Sequence, residues 1–270
     1  MRYLIRAAGF ALALSTVAFA RDARAQVDPQ TVVDRATLAV QEMLTEGDAA
    51  ARRDLANSMS RARAVMVCPR VLRAGFIIGG QGGDCVLAAR DGAGSWSSPA
   101  FYTMGGGSFG LQVGVQDMQL VILIMTDRGL SAVMDSQFKF GADASVALAT
   151  LGGGVGGATT AAAGADILTF ARNRGLYLGI SLDGSLLSAR SDLNQGYYQR
   201  SVGARQIVVD MQAHNPASDP LRAALLRGAG AQQAAAAPSP GPATAQAPQS
   251  WSNPPVPAAP AGRVTREPLR

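Results

Sequence analysis

Gly106-Gly107-Ser108-Phe109-Gly110 carries the Gly-x-Ser-x-Gly spacing of a nucleophile elbow, and His214, the sole histidine, lies downstream where a Ser-then-His order would put the base. The context does not suit that chemistry. An elbow joins a strand to a helix, whereas Leu111 to Val115 goes on alternating like a strand, so no helix receives the serine. Ser136-Gln137-Phe138-Lys139 fits the Ser-x-x-Lys of penicillin-recognising enzymes. Lys139 is the chain's only lysine, however, so the Lys-Thr-Gly element of those enzymes is missing. Gly152, Gly154 and Gly157 have a dinucleotide-binding spacing, with no strand-helix-strand unit around them and no acidic residue about 20 positions further on. One histidine and no carboxylate cluster near Cys68 or Cys85 leave no metal set. No catalytic residue, no cofactor and no metal are therefore expected, and the chain reads as a non-enzyme.

The remaining chemistry is that of binding. Asp48 to Arg63 is a helical segment with Leu55, Met59 and Ala62 on one side and Arg52, Arg53, Arg61 and Arg63 near or off that side. At 3.6 residues per turn, Arg52 and Arg63 fall within about 20° of each other around the axis. Such a basic amphipathic helix can lie on an anionic membrane, its arginines reaching phosphates and its apolar stripe dipping below. The alternative is an ordinary surface helix packed on a sheet. Arg70, Arg73 and Lys139 are further basic residues expected near loops.

These residues are positioned by an expected α+β fold. Its mainly antiparallel, strongly curved sheet, or barrel-like sandwich, has helices packed on it at the N-terminal side. Asp28-Pro29 supplies an N-cap and a proline at the first helical position, and Val33, Ala36, Val40, Met43 and Leu44 form one stripe up to Gly47. A strand from Val65 stops at Pro69. Val71 to Gly79 and Cys85 to Arg90 flank a glycine turn, Gly79 to Gly83, as a hairpin would. Phe109 to Val115 alternates, and Met118 to Met125 is apolar at nearly every position, so both of its faces must be covered. It reads as the central strand, followed by a helix over 128–136 with Asp127 as its cap. Phe138 to Thr150 alternates, Gly152 to Gly164 is rich in glycine and alanine, and Ile167 to Ala171, Leu176 to Leu182 and Ser185 to Arg190 read as strands. The glycines of the sheet, Gly107 and Gly110 above all, are expected where something packs close to backbone. Cys68 and Cys85 are either a disulfide or two small buried hydrophobes in neighbouring strands.

Arg2 and Arg6, the apolar run Ala7 to Ala20 and the small-residue pattern Ala23-Arg24-Ala25 are the three regions of a secretory signal peptide. Cleavage is expected after Ala25, with Ala20 as a second candidate. The formal charge of +5 holds +3 from that segment, leaving +2, so the high pI carries no nucleic-acid signal. Ala231 to Ala261 is nearly all Ala, Pro, Gln and Ser, too poor in apolar area to fold. The expected organisation is a signal peptide over 1–25, a helical segment over 26–63, one domain over 64–210 and a disordered Ala/Pro-rich tail over 211–270. The mature protein is expected to be exported, periplasmic or peripheral to an envelope membrane.

Taken in order, VCPRVLRAGF, GSWSSPAF, SFGLQVG, the GLYLGISLDGS hairpin and the closing pair Tyr197-Tyr198 resemble the SYLF domain, from about Ser60 to Val209. That family comprises lipid-binding and, in fungi, actin-regulating proteins. The resemblance implies an α+β domain without catalytic activity that binds acidic phospholipids, phosphoinositides in the eukaryotic members. Membrane contact there is attributed to a basic amphipathic segment corresponding here to Asp48 to Arg63. The signal peptide, the Ala/Pro tail and the lack of an attached SH3 or FYVE module point away from actin and phosphoinositides as partners. An acidic phospholipid surface is the expected partner, with a structural or protein-interaction role in the cell envelope as the alternative.

Overall fold

The computed structural model describes residues 27–75, 78–109, 114–135, 137–150, 164–174, 182 and 184–236. The expected signal peptide, Gly110, most of the 152–164 glycine stretch, the strand from Leu176 and the tail beyond 236 lie outside them.

Two helices open the described chain, α1 (Pro29–Thr45) and α2 (Ala49–Arg61). Each is started by an aspartate whose carboxylate accepts first-turn N–H groups: Asp28 from Gln30 and Thr31, Asp48 from Ala50 and Ala51. Gly47, at φ +91°, turns the chain between them. Four strands follow, β1 (Ala64–Gly75), β2 (Ile78–Ala89), β3 (Ala100–Phe109) and β4 (Gly114–Ile124), then α3 (Asp127–Met134). Next come β5 (Gln137–Lys139), β6 (Val146–Thr150), β7 (Ile167–Arg174) and β8 (Leu186–Ala189). The helices α4 (Ser191–Tyr198) and α5 (Ala204–Val208), a 3-10 turn (Pro216–Ser218) and α6 (Asp219–Ala236) close the fold. The strands form one sheet in the order β5-β8-β3-β2-β1-β4-β7-β6, antiparallel throughout except for the parallel β6–β7 edge. It curls into a half-barrel, giving the α+β architecture.

Alternation sorts the sheet's side chains into two cores. Val65, Val67, Val86, Phe101, Val121, Leu123 and Phe170 face α1, α2, α4 and α6. Met66, Cys68, Leu87, Tyr102, Met104, Leu120, Ile122 and Ile124 face α3, Phe138, Phe140 and α5. β4 is apolar along most of its length because it is an interior strand with a core on each side.

Several expectations need correction. β1 does not stop at Pro69. Its register slips by one residue between Val67 and Leu72 against β2, and between Cys68 and Val71 against β4. A β-bulge there absorbs Pro69, whose missing N–H would interrupt a regular ladder. The Gly79–Gly83 stretch is not a turn but lies inside β2, paired to β1 and β3. Of the alternating stretch Phe109 to Val115, residues 110–113 lie outside the described residues; Phe109 is the last residue of β3 and Gly114 the first of β4, on opposite sides of the β1–β2 pair. Phe138 to Thr150 is split into β5 and β6 by a turn at Gly141, φ +82°. Thr126, not Asp127, caps α3, accepting from the Gly129 N–H at 3.0 Å.

The domain also does not end at 210. Leu221, Ala224, Leu225 and Ala229 of α6 are buried in the first core, and a Cβ on Gly228 would stand 2.8 Å from Met59 Cε. The tail composition begins only after this helix has packed. Cys68 and Cys85, both fully buried and opposed across β1 and β2, are joined in a disulfide.

Asp166 ties three elements together. Its carboxylate accepts Thr126 Oγ1 at 2.7 Å and Ser145 Oγ at 3.0 Å, and these bonds hold its pKa below the ordinary carboxylate value. A depressed folded pKa means that this stabilisation is present above about pH 4 and lost as pH falls through the folded value. Asp166→Ala is therefore expected to lower the urea midpoint at pH 7 and to differ less from wild type at pH 3.

Candidate functional site

Where α2 hands over to β1, the backbone is fixed by the Arg63 N–H donating to the Ile124 carbonyl at 2.8 Å and the Arg90 N–H donating to the Arg63 carbonyl at 2.8 Å. Arg61 and Arg63 thereby come beside Arg90, which leaves β2 just before the turn at Asp91 to Gly94. The three arginines line one open cleft of about 390 Å³ with Ser60, Asp91 and the Gly92–Gly94 backbone. The roles of the arginines differ. Arg90 Nη1 donates to the Ser60 carbonyl at 2.8 Å and Nε to the Gly94 carbonyl at 3.2 Å, and its guanidinium lies 5.9 Å from the Trp96 ring centroid. It pins the turn to α2 while lending its charge. Among the described residues Arg61 uses Nε alone, on the Asn57 carbonyl. Arg63 faces Asp127 at 3.4 Å, both side chains mostly in water, a pairing of small energy that a competing anion can exchange. Three guanidinium groups against the one lining carboxylate make the cleft an anion-attracting edge.

The other expected site residues do not join it. Arg53 is exposed on α2, while Arg52 is half-buried with its Nε enclosed and, among the described residues, without a partner. The apolar stripe of α2, Leu55 and Met59, is packed into the first core, so it is not available to dip into a bilayer. What α2 offers outward is charge. Arg70 pairs with Asp117 at 2.9 Å and lines a separate cleft of about 400 Å³ with Asp28, Arg35, Leu72 and Asp84. Arg73 sits near the far end of β1, about 30 Å from Arg63 at roughly 3.3 Å per residue. Lys139 is exposed on the edge strand β5, opposite Leu186. The basic residues thus divide between the two ends of the sheet. Arg35 and Arg90 escaped the sequence reading, Arg90 because it stands alone at a strand end, with no basic neighbour in sequence to mark it.

His214 meets Ser98. Its Nδ1 is 3.1 Å from Ser98 Oγ, and its Nε2 is 3.9 Å from Asp219 Oδ1. Serine, histidine and acid are in line, yet Ser98 is 4% exposed and its oxygen is also met by Ser218 Oγ at 3.1 Å and the Asn215 N–H at 3.4 Å. An acyl group has no room at that oxygen. With Arg222 Nε donating to the Trp96 carbonyl at 2.7 Å, the cluster stitches the β2–β3 connection to the start of α6. The closing aromatic pair is structural as well. Tyr197 packs edge-on to Phe101 at 5.1 Å, and Tyr198 donates to the Pro99 carbonyl at 2.7 Å, burial raising the pKa of both phenols.

Residues 105–227 match the family model Ysc84, described as Las17-binding protein actin regulator. The chain is 31% identical over 139 residues to human SH3 domain-containing YSC84-like protein 1, covering 51% of this chain and 41% of that protein. The mouse protein of the same name is 32% identical over the same length. LAS seventeen-binding protein 3 of Saccharomyces cerevisiae is 30% identical over 154 residues, 56% of this chain and 34% of that protein. The chain therefore spans less than half the length of these relatives. The matched region begins in β3 and ends in α6, so α6 belongs to the domain while the arginine cleft precedes the match.

Proposed function

The chain carries a domain of the Ysc84 (SYLF) family, and on that premise we propose that it is a non-catalytic module that binds acidic phospholipids at a membrane surface, in an exported protein. The observation that carries this reading is the convergence of Arg61, Arg63 and Arg90 on one open cleft at the end of the sheet. Each arginine near an anionic leaflet contributes about 1 kcal/mol, giving weak binding that salt screens. Because the apolar stripe of α2 is turned inward, the contact is electrostatic rather than insertional. Flotation with anionic and zwitterionic vesicles tests it. Binding to the anionic set at low salt, fading by roughly 0.5 M salt as the screening length shrinks, is the expected result. Equal binding to both sets, or to neither, contradicts it.

A second reading has its own support in the name of the yeast relative, LAS seventeen-binding protein 3. In that reading the domain holds an envelope protein, for which the exposed Leu72, Val115 and Leu186 are the contact residues. Recovery of a single protein in pull-downs, unaffected by added lipid, would favour it.

A further inference from the structure

At the glycine-rich end of the sheet, Arg73 of β1 lies directly opposite Gln81 of β2 on one side and Gln116 of β4 on the other. Directly opposed residues share a face, with Cβ atoms about 5 Å apart. The face is that of Val71 and Met118, two residues along each strand, both fully buried in the second core. On the far side of Gln81 stands Gly106, and Ser185 covers it: a Cβ there would be 3.1 Å from Ser185 Oγ. Gln81 Nε2 donates to that hydroxyl.

The rest of the row is unsatisfied. Gln116 is 5% exposed, yet among the described residues neither its Nε2 nor its Oε1 has a partner, and Gln81 Oε1 is enclosed without one. Arg73, half-buried between them, makes no hydrogen bond or ion pair among the described residues. Buried amides are nearly always paired, so a row of enclosed donors and acceptors around a guanidinium is suited to a ligand that can meet them. Arg73 and an amide N–H call for an oxyanion. The two amide oxygens call in addition for a donor hydroxyl. We propose that Gln81, Arg73 and Gln116 form a binding site for an oxyanion that carries a hydroxyl, either hydrogen phosphate or the phosphoryl-glycerol part of a lipid head group. The site stands apart from the arginine cleft, at the other end of β1, and does not depend on it. The partial exposure of Arg73 is the way in.

Thermal melts of the full chain test the assignment, with inorganic phosphate, sulfate, short-chain phosphatidylglycerol and short-chain phosphatidylcholine as the probes. Phosphate or phosphatidylglycerol raises the melting temperature with concentration. Sulfate and phosphatidylcholine, which lack the hydroxyl, raise it less. A response to inorganic phosphate alone assigns the free anion, and a response to phosphatidylglycerol alone assigns the head group. Arg73→Met removes the shift, whereas Arg61→Glu, Arg63→Glu, at the other end of β1, keeps it. Gln116→Leu also removes it and raises the ligand-free melting temperature by about 2 to 4 °C, because the fully buried amide on β4 is no longer stranded. A ligand-free melting temperature lowered by Gln116→Leu overturns the assignment. So does a shift that survives Arg73→Met, or no response to any probe.

Discussion

Gly83→Ala is expected to cost about 3 kcal/mol or more of stability, enough to leave much of the chain unfolded in mild urea. A Cβ at Gly83 would sit 2.2 Å from the Arg70 carbonyl oxygen and 3.1 Å from Val71 Cα, all backbone atoms. The bulge in β1 pushes that carbonyl toward β2, and only a residue without a side chain can lie opposite it. No rotamer change relieves such an overlap; β1 and β2 must separate at the centre of the sheet. Gly107, where sequence alone placed the demand for glycine, is different: its added Cβ meets only the Gly79 carbonyl, at 4.0 Å. Gly107→Ala is expected to be near neutral. Urea midpoints of the two variants check the contrast, and equal midpoints would show that the bulge shifts readily.

Removing the disulfide is the second large effect. Cys68 and Cys85 are 17 residues apart, and opening a loop of that size is worth about 3 kcal/mol through the unfolded chain's entropy. The double Cys→Ala variant should therefore unfold at a clearly lower urea midpoint while keeping native far-ultraviolet dichroism without denaturant. An unchanged midpoint would mean that the β1–β2 hairpin persists in the unfolded state and restricts the loop on its own.

Sequence pattern revealed those elements whose side chains alternate against a core. β4 announced its two covered faces through Met118 to Ile124, and α1 its stripe through Val33, Ala36, Val40 and Met43. Pattern failed where backbone geometry decides. Pro69 reads as a stop because proline lacks an N–H, but a bulge spares that N–H from the ladder. Gly79 to Gly83 reads as a turn because glycine permits one, but here the stretch lies within β2, and at Gly83 the lack of a side chain lets the Arg70 carbonyl of β1 approach. α6 was lost because an Ala-rich helix grades into an Ala/Pro-rich tail without a change of composition at the boundary. Of the site, the sequence showed Arg61 and Arg63 but not Arg90, which the sheet register brings beside them. It also showed Arg73 without the two amides that flank it, since residues on three strands meet only once the register is set.

The most direct test of the membrane role is flotation of wild type beside the double variant Arg61→Glu, Arg63→Glu on the same anionic vesicles, with a melt of each protein. Both side chains are exposed, and the Asp127 contact of Arg63 lies in water, so the melting temperatures should nearly coincide. Removing two arginines' worth of attraction, about 1 kcal/mol each, and adding repulsion should weaken vesicle binding by about 30-fold or more. A folded double variant that floats as well as wild type would contradict the cleft as the lipid-binding edge.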